Sequence, residues 1–338
     1  MRNSILINRL TSFSLLLVLL MHNVITSETF YGEIFYVFIF RTFTRVAVPV
    51  FFTISSFLLF NNYHLGKLKK RTKTLFIPFI IWSTISYVIF SCFPLIPFLS
   101  PFFNSPVEIS LGSFLNSTFI SPKNGSLWFL RDLYLLVLLS PFINQLIKNK
   151  RASYYVFCFL GIIWIYDLNY SFMVESTFFF YCGALLSNDR LNFGNFCNKE
   201  FSSKTVYIMV LFYIILCLYL SFVTVQFAVN PMIISKILIV VGLLVLYAMK
   251  TIFLSLNIFT GILDWFKKYS FLLFVTNSII LSFTKKILTN LSPPANIGSA
   301  ILLYLISFGL LLLLGCCIQN ILRIVSPYLL KVLTGNRC

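Results

Sequence analysis

The chain is a succession of apolar runs of about 20 residues separated by short polar segments. A helix rises about 1.5 Å per residue, so such a run can cross a hydrocarbon core near 30 Å. The runs predict about ten spanning helices, at 8–27, 33–61, 74–96, 126–147, 153–168, 171–187, 205–227, 232–254, 270–290 and 298–323. The fifth and sixth are short, as expected of a tilted or partly re-entrant helix. The predicted fold is all-α: one polytopic transmembrane helix bundle, a single membrane domain over residues 1–338.

The polar segments are not equivalent. KLKKRTK (67–73), KNKR (148–151), the segments 188–204 and 250–268 and the C-terminal tail are basic, whereas SETFYGE (27–33) and DLNYS (167–171) are acidic or neutral. Most of the 26 Lys and Arg therefore lie on one side, which the positive-inside rule makes cytoplasmic. An even number of spans then places both termini in the cytoplasm. The segment from about Ile96 to Gly125 holds Pro97, Pro101, Pro106 and Pro122, yet is too apolar for a free loop. It reads as a fold-back over the outer end of the bundle, like a lid.

Composition sharpens the class. The chain is 59% hydrophobic and 10% charged, against about 25% charged in a soluble domain, which excludes a water-soluble enzyme. The net charge of +17 is a topology signal, because the cations sit in short loops, and it does not call for nucleic acid. The eight cysteines form no CxxC pair or Cys/His cluster and read as packing residues. Arg2 and Arg9 before the first run imitate a signal peptide, but no small-residue cleavage site follows, so the run reads as a retained first helix. No GxSxG, GxxxxGK[ST] or HExxH pattern is present.

Candidate chemistry follows from depth. His22 ends the first run and, with the boundary near Leu10, lies about 18 Å into the membrane. An ionisable side chain at that depth is costly and marks a functional site, unless it sits at the headgroup boundary. On the returning second helix, counted from its outer end near Glu33, Arg41 is about 12 Å and Arg45 about 18 Å deep, so Arg41 falls at a depth similar to that of His22. Arg41, Arg45 and Pro49 are spaced four apart, and Pro49 is expected to free the Arg45 carbonyl in mid-membrane. Trp128, Arg131 and Asp132 start the fourth helix, Glu175 opens the sixth and Lys236 lies early in the eighth. Each alone reads as an interface anchor, but together they predict a polar cavity open to the outside. Arg131 and Asp132, about 100° apart on the helix, are expected to take different partners. Lys69, Lys70, Arg71 and Lys73 form a cytoplasmic cluster, either a plain topology signal or a phosphate contact. His64 beside Asn61 and Asn62 reads as solvated.

A histidine ending the first span, RVAVPVFFTISSFLLF (45–60), LFIPFIIW (75–82) after a basic loop, SLWFLRDL (126–133), FFFYCGALL (178–186) and SPYLLKVLTGNR (326–337) together resemble the acyltransferase-three family. These are bacterial integral-membrane O-acyltransferases that modify surface polysaccharides, and the likeness is to their stand-alone form. The family's arginine eleven positions before the histidine is Thr11 here, and Arg9 is rotated about 140° from that face. The family's Ser-Gly is Ser55-Ser56, and Asn277 stands where a histidine often lies.

The resemblance implies acetyl-CoA as a cytoplasmic acyl donor, with no bound cofactor or metal, and a glycan hydroxyl as acceptor in the bacterial inner membrane. Under that reading His22 is the base, Arg41 or Arg45 steadies the oxyanion, and Asp132 or Glu175 orients His22. Lys70, Arg71 and Lys73 would meet the donor's phosphates, and Trp128 and Arg131 would line the substrate site. Direct transfer and a covalent acyl-His22 relay remain alternatives. The rival functions are a transporter or flippase for a lipid-linked glycan, although no internal repeat is visible, and a non-catalytic partner of a polysaccharide assembly complex.

Overall fold

The structure is a computed structural model and describes residues 2–97, 99–102, 109–167, 172–188, 201–255 and 257–336. Every regular element among them is helical. Among the described residues seven helices are long and apolar enough to cross a membrane: Ser4–His22, Phe30–Phe60, Gly66–Leu95, Ser203–Gln226, Pro231–Ala248, Ser270–Leu291 and Ile297–Val325. Leu127–Leu138 and Ser140–Lys148 meet at 55° and form an eighth if counted as one span. Pro141 opens the second of this pair, where a proline cannot continue the preceding hydrogen-bond ladder. The short fifth and sixth runs are helices of 17 and 16 residues, Lys150–Tyr166 and Phe172–Ser187. Each of the ten predicted runs is thus helical, and the chain is a multi-pass helical membrane protein.

Helix α1 (Arg2–His22) stops five residues before the end of its predicted run, because neighbours hold the chain there. The Lys285 ammonium group donates to the carbonyls of His22 (2.6 Å) and Val24 (3.0 Å), acceptors that a helix end leaves unpaired. Asn23 donates to the Tyr304 carbonyl and accepts from the Ser307 hydroxyl, both at 2.7 Å.

The second run is broken. Helix α2 (Phe30–Tyr36), capped by the Thr29 hydroxyl, continues as a π-helical turn over Val37–Phe43, and α3 (Ala47–Phe60) starts afresh. The expectation of Pro49 as a mid-helix residue that frees the Arg45 carbonyl is therefore corrected. The interruption lies at residues 44–46, and Pro49 sits in the first turn of α3, where an N–H is unpaired in any case. The Lys67 ammonium group caps the far end of α3 through the carbonyls of Leu58, Leu59 and Asn61.

The tightest contact joins α3 to a parallel helix, α10 (Phe172–Ser187). A Cβ on Gly183 would stand 2.2 Å from the Thr53 carbonyl oxygen, so only glycine permits the approach. Thr53 in turn donates to the Phe179 carbonyl at 3.2 Å. The remaining helices used below are α4 (Gly66–Arg71), which runs through a π turn into α5 (Ile77–Cys92), then α7 (Leu127–Leu138). A short amphipathic helix, α14 (Ile258–Lys267), precedes α15 (Ser270–Leu291). The C-terminal helix Pro327–Thr334 docks on α5, where the Trp82 ring N–H donates to the Leu333 carbonyl at 3.0 Å.

Parts of the predicted lid (96–125) and most of the basic segment 188–204 lie outside the described residues. Of the lid, Leu111–Leu115 and a following π turn are helical, and the Asn124 amide donates to the Val275 carbonyl on α15 at 2.7 Å.

Candidate active site

Two cavities meet at His22. The first, about 230 Å³, is lined along α1 by Thr11, Leu15, Val18, Met21 and His22. These positions share one helix face and extend about 16 Å along its axis. Its opposite walls include Phe51 and Ser55 of α3, Trp128 and Phe129 of α7, and Phe271 and Phe274 of α15. Arg71 belongs to its lining and is its one charged wall residue apart from the titratable His22. The second cavity, about 310 Å³, is lined by His22, Ser278, Leu281, Ser282, Lys285, Lys286 and Thr289. His22 is the residue common to both.

The composition of the first cavity follows from the sequence. Apart from His22 and Arg71, the contributing faces are apolar, so the channel wall is hydrocarbon and aromatic except where a small hydroxyl residue interrupts it. Ser126 is one such residue. Its hydroxyl donates to the Asn277 side-chain oxygen at 2.7 Å, while the Asn277 amide nitrogen is buried with no partner. Asn277 thus stands directly behind the cavity wall.

Of the predicted site residues, the structure gathers His22, Trp128 and Arg71 around one cavity. Lys70 and Lys73 are exposed and outside its lining. Arg45 faces Glu175 at 3.1 Å in a pair with both side chains buried, and neither lines the cavities with His22. Arg41 lies in the π-helical turn with its guanidinium 4.9 Å from the Phe40 ring centroid, also outside the two linings. Lys236 donates to the carbonyls of Ile165 and Asp167.

The expectation that Arg131 and Asp132 take different partners is corrected. Arg131 donates to the Asp132 carboxylate at 2.8 Å and to the carbonyls of Phe119 (2.9 Å) and Ile120 (2.7 Å). The guanidinium stem is long enough to fold back across the 100° between neighbours, and burial of Asp132 rewards it. These contacts clip the lid segment to α7.

Arg9 does not stand in for the arginine missing at Thr11. Its guanidinium donates to the Asp264 carboxylate (2.7 Å at the shortest) and to the carbonyls of Phe253 (2.7 Å) and Ser255 (3.0 Å). It thereby anchors α1 to α14, on the face turned from the cavity. The hydrogen bond from Arg9 holds the Asp264 carboxyl below its usual value. Thr11 itself lines the cavity, with its hydroxyl donated to the Ile7 carbonyl at 2.7 Å.

Sequence reasoning missed Lys285 and Lys286. The signal was available: two lysines inside an otherwise apolar run, with Ser278, Ser282, Lys285 and Thr289 spaced four, three and four apart on one helix face. Among the described residues no group of His, Cys, Asp and Glu could hold a metal ion.

A segment of 121 residues is 30% identical to the succinoglycan biosynthesis protein ExoH of Rhizobium meliloti (strain 1021). That segment covers 33% of this chain and 33% of the relative, so the match spans about a third of the relative's length. No solved structure matches. The family model described as "Acyltransferase domain" matches residues 7–319, which takes in α1, both cavities and the Arg45–Glu175 pair but not the last helix. A match of that extent, with a histidine ending α1 at the meeting of two cavities, makes the chain a member of the acyltransferase-three family.

Proposed function

We propose that this chain is a membrane O-acyltransferase that moves an acetyl group from cytoplasmic acetyl-CoA to a hydroxyl of a surface polysaccharide or its lipid-linked precursor. The supporting observation is the position of His22 in the wall shared by two cavities, one apolar and ending in a guanidinium, the other rich in hydroxyls and ammonium groups. We take the bundle as about ten spans of the bacterial inner membrane, in one domain, with both termini cytoplasmic. Arg71, which follows the C-terminal end of α3, then lies toward the cytoplasm and His22 toward the outside.

In this reading the donor's acyl thioester occupies the first cavity, with its anionic end toward Arg71. The acceptor hydroxyl enters through the second. His22 takes the hydroxyl proton as the sugar oxygen attacks the thioester carbonyl carbon. The carbon–sulfur bond then breaks, and the thiolate leaves with the proton that His22 carries. Apolar walls exclude water and so protect the thioester from hydrolysis. Arg45, Asp132 and Glu175 hold helices and the lid segment together, and Arg41 packs on Phe40 of its own turn; none of the four lines either cavity, so they act away from the reacting atoms. Asn277, outside both linings, accepts from the Ser126 hydroxyl and so orients that hydroxyl in the wall of the first cavity.

The test is consumption of acetyl-labelled CoA thioester by the purified chain in nanodiscs, together with acetyl content of the host's surface glycans. His22→Ala should abolish both at unchanged expression. Wild-type glycan acetylation by that variant would remove His22 from the chemistry. A chain that moves a lipid-linked glycan without consuming thioester would be a flippase instead.

A further inference from the structure

We propose that the second cavity is an anion subsite, in which Lys285 and Lys286 with the hydroxyl of Ser278 hold a phosphate or carboxylate group of the acceptor beside His22. The word acceptor rests on the function proposed above, but the anion site does not.

Two ammonium groups converge on one cavity of about 310 Å³. Among the described residues neither has an acidic partner. An interfacial lysine ordinarily swings its head outward to water. Lys286, which is exposed, is free to do that. Lys285 does the opposite. It is half-buried and turned inward onto the end of α1, donating to the His22 and Val24 carbonyls. Those two bonds use two of its three N–H donors and leave one for a ligand. Carbonyl dipoles alone do not neutralise a full charge, so the cavity keeps a net positive field next to His22.

The hydroxyls complete the site. Ser278, Ser282 and Thr289 share the lysine face of α15. Ser278, which accepts from the Gly125 N–H at 3.2 Å, keeps its proton for an anionic oxygen. Ser282 and Thr289 donate to the Ser278 and Lys285 carbonyls (2.7 and 2.9 Å) and keep oxygens that accept from a sugar hydroxyl. Ammonium-to-oxyanion hydrogen bonds are shorter and roughly twice as strong as neutral ones. A neutral ligand would leave both lysines uncompensated. The cavity therefore selects acceptors that carry negative charge near the hydroxyl to be modified. That charge belongs either to an acidic sugar or to the phosphate of a lipid carrier.

The full chain in phosphatidylcholine nanodiscs would be titrated calorimetrically with two matched pairs of probes. One pair is tetragalacturonate against maltotetraose, and the other is a polyprenyl phosphate against its polyprenol. At least one anionic probe should bind about tenfold or more tighter than its neutral partner, a factor that one charge-assisted contact supplies. Preference in the first pair places the charge on the glycan, and preference in the second places it on the carrier. Lys286→Gln and Lys285→Gln should each erase most of the preference, while Lys285→Arg keeps it. Lys286 is exposed, so its variant tests the site even if Lys285→Gln does not fold. Equal binding within both pairs, or an unchanged preference in Lys286→Gln, overturns the anion site. Thioester consumption by the unmodified chain on the same preparations separates the two readings: equal binding within both pairs with thioester consumption intact overturns only the subsite, and an anion preference without thioester consumption overturns only the acyltransferase.

Discussion

Arg45 and Glu175 meet at 3.1 Å between two parallel helices, with side-chain exposures of only 4% and 7%. Eight residues further along both chains, Thr53 faces Gly183 at the closest approach of the same helices. The pair therefore fixes the register of α3 against α10. Removing one partner strands a buried charge, and the expected cost of Glu175→Ala is about 3–5 kcal/mol. It should appear as a large fall in melting temperature in detergent. Joint replacement by Met at 45 and Leu at 175 should recover most of it, since a buried ion pair gains little over well-packed apolar side chains. An unchanged melting temperature in Glu175→Ala would deny the pair its structural role.

Gly183 supplies a second test of the same contact. Alanine there should raise intrinsic helix propensity, yet its Cβ would fall 2.2 Å from the Thr53 carbonyl and 2.8 Å from the Ser56 Cβ. Backbone cannot yield as a flexible side chain would, so the clash outweighs propensity. The expected loss is about 1–3 kcal/mol. Gly309→Ala is the control, because nothing lies within 4 Å of its new methyl group. That variant should be neutral or stabilised by up to about 1 kcal/mol.

Helices and the histidine were legible in the sequence for one reason: bilayer length and the cost of buried charge act on single runs and single residues. Partnerships were not, because they depend on which helix lies beside which. Depth alone placed Arg41 level with His22, but Arg41 packs on Phe40 in the π-helical turn and lines neither cavity, while Arg45 is met by Glu175 of the facing helix α10. Helical angle alone separated Arg131 from Asp132, but a flexible stem closes the gap. Pro49 read as a mid-helix residue because the π-helical turn before it leaves no mark in the pattern of apolar residues. Lys285 escaped notice because a lysine late in a span reads first as an interface residue. Only the turn of α1 against α15 shows it facing inward.

The Arg9–Asp264 contact predicts a pH effect. Asp264 is held below its usual value by the Arg9 hydrogen bond, so its contribution to stability is present above the unfolded carboxylate value, about 3.9, and is lost as pH falls through the folded value. The carboxylate is half exposed, so solvent screening keeps the effect modest. Below about pH 4 the wild-type chain should approach the melting temperature of Asp264→Asn, whereas at pH 7 it should exceed it. A gap between the two that is the same at both pH values would sever the link to this carboxylate.

Within the basic cluster the structure separates residues that the sequence treats alike. Arg71 lines the first cavity, while Lys70 and Lys73 are exposed outside it. Arg71→Gln should raise the donor concentration needed for half-maximal rate about tenfold, the scale of one lost charge-assisted hydrogen bond. Lys70→Gln and Lys73→Gln should change it about twofold or less, as solvent-screened charges do. Equal effects at all three positions would return the cluster to a signal of topology.

The first cavity can also be blocked without touching His22. Ser55 lies on its wall in α3, between Phe51 and Leu58 along the same face, and its side chain is small. Phenylalanine at 55 would place a ring within a volume of about 230 Å³, enough to exclude an acyl chain and its thioester from the face of α1. The bundle has open space to accept the ring, so melting should be little changed. Acyl transfer should fall about tenfold to a hundredfold, the penalty for displacing a reacting group by an ångström or so. Binding of acidic probes in the second cavity should persist, since Ser55 is not part of its lining. Full acyl transfer by Ser55→Phe, with the variant folded, would mean that the donor does not travel through this cavity. His22 would then be reached from the second cavity alone.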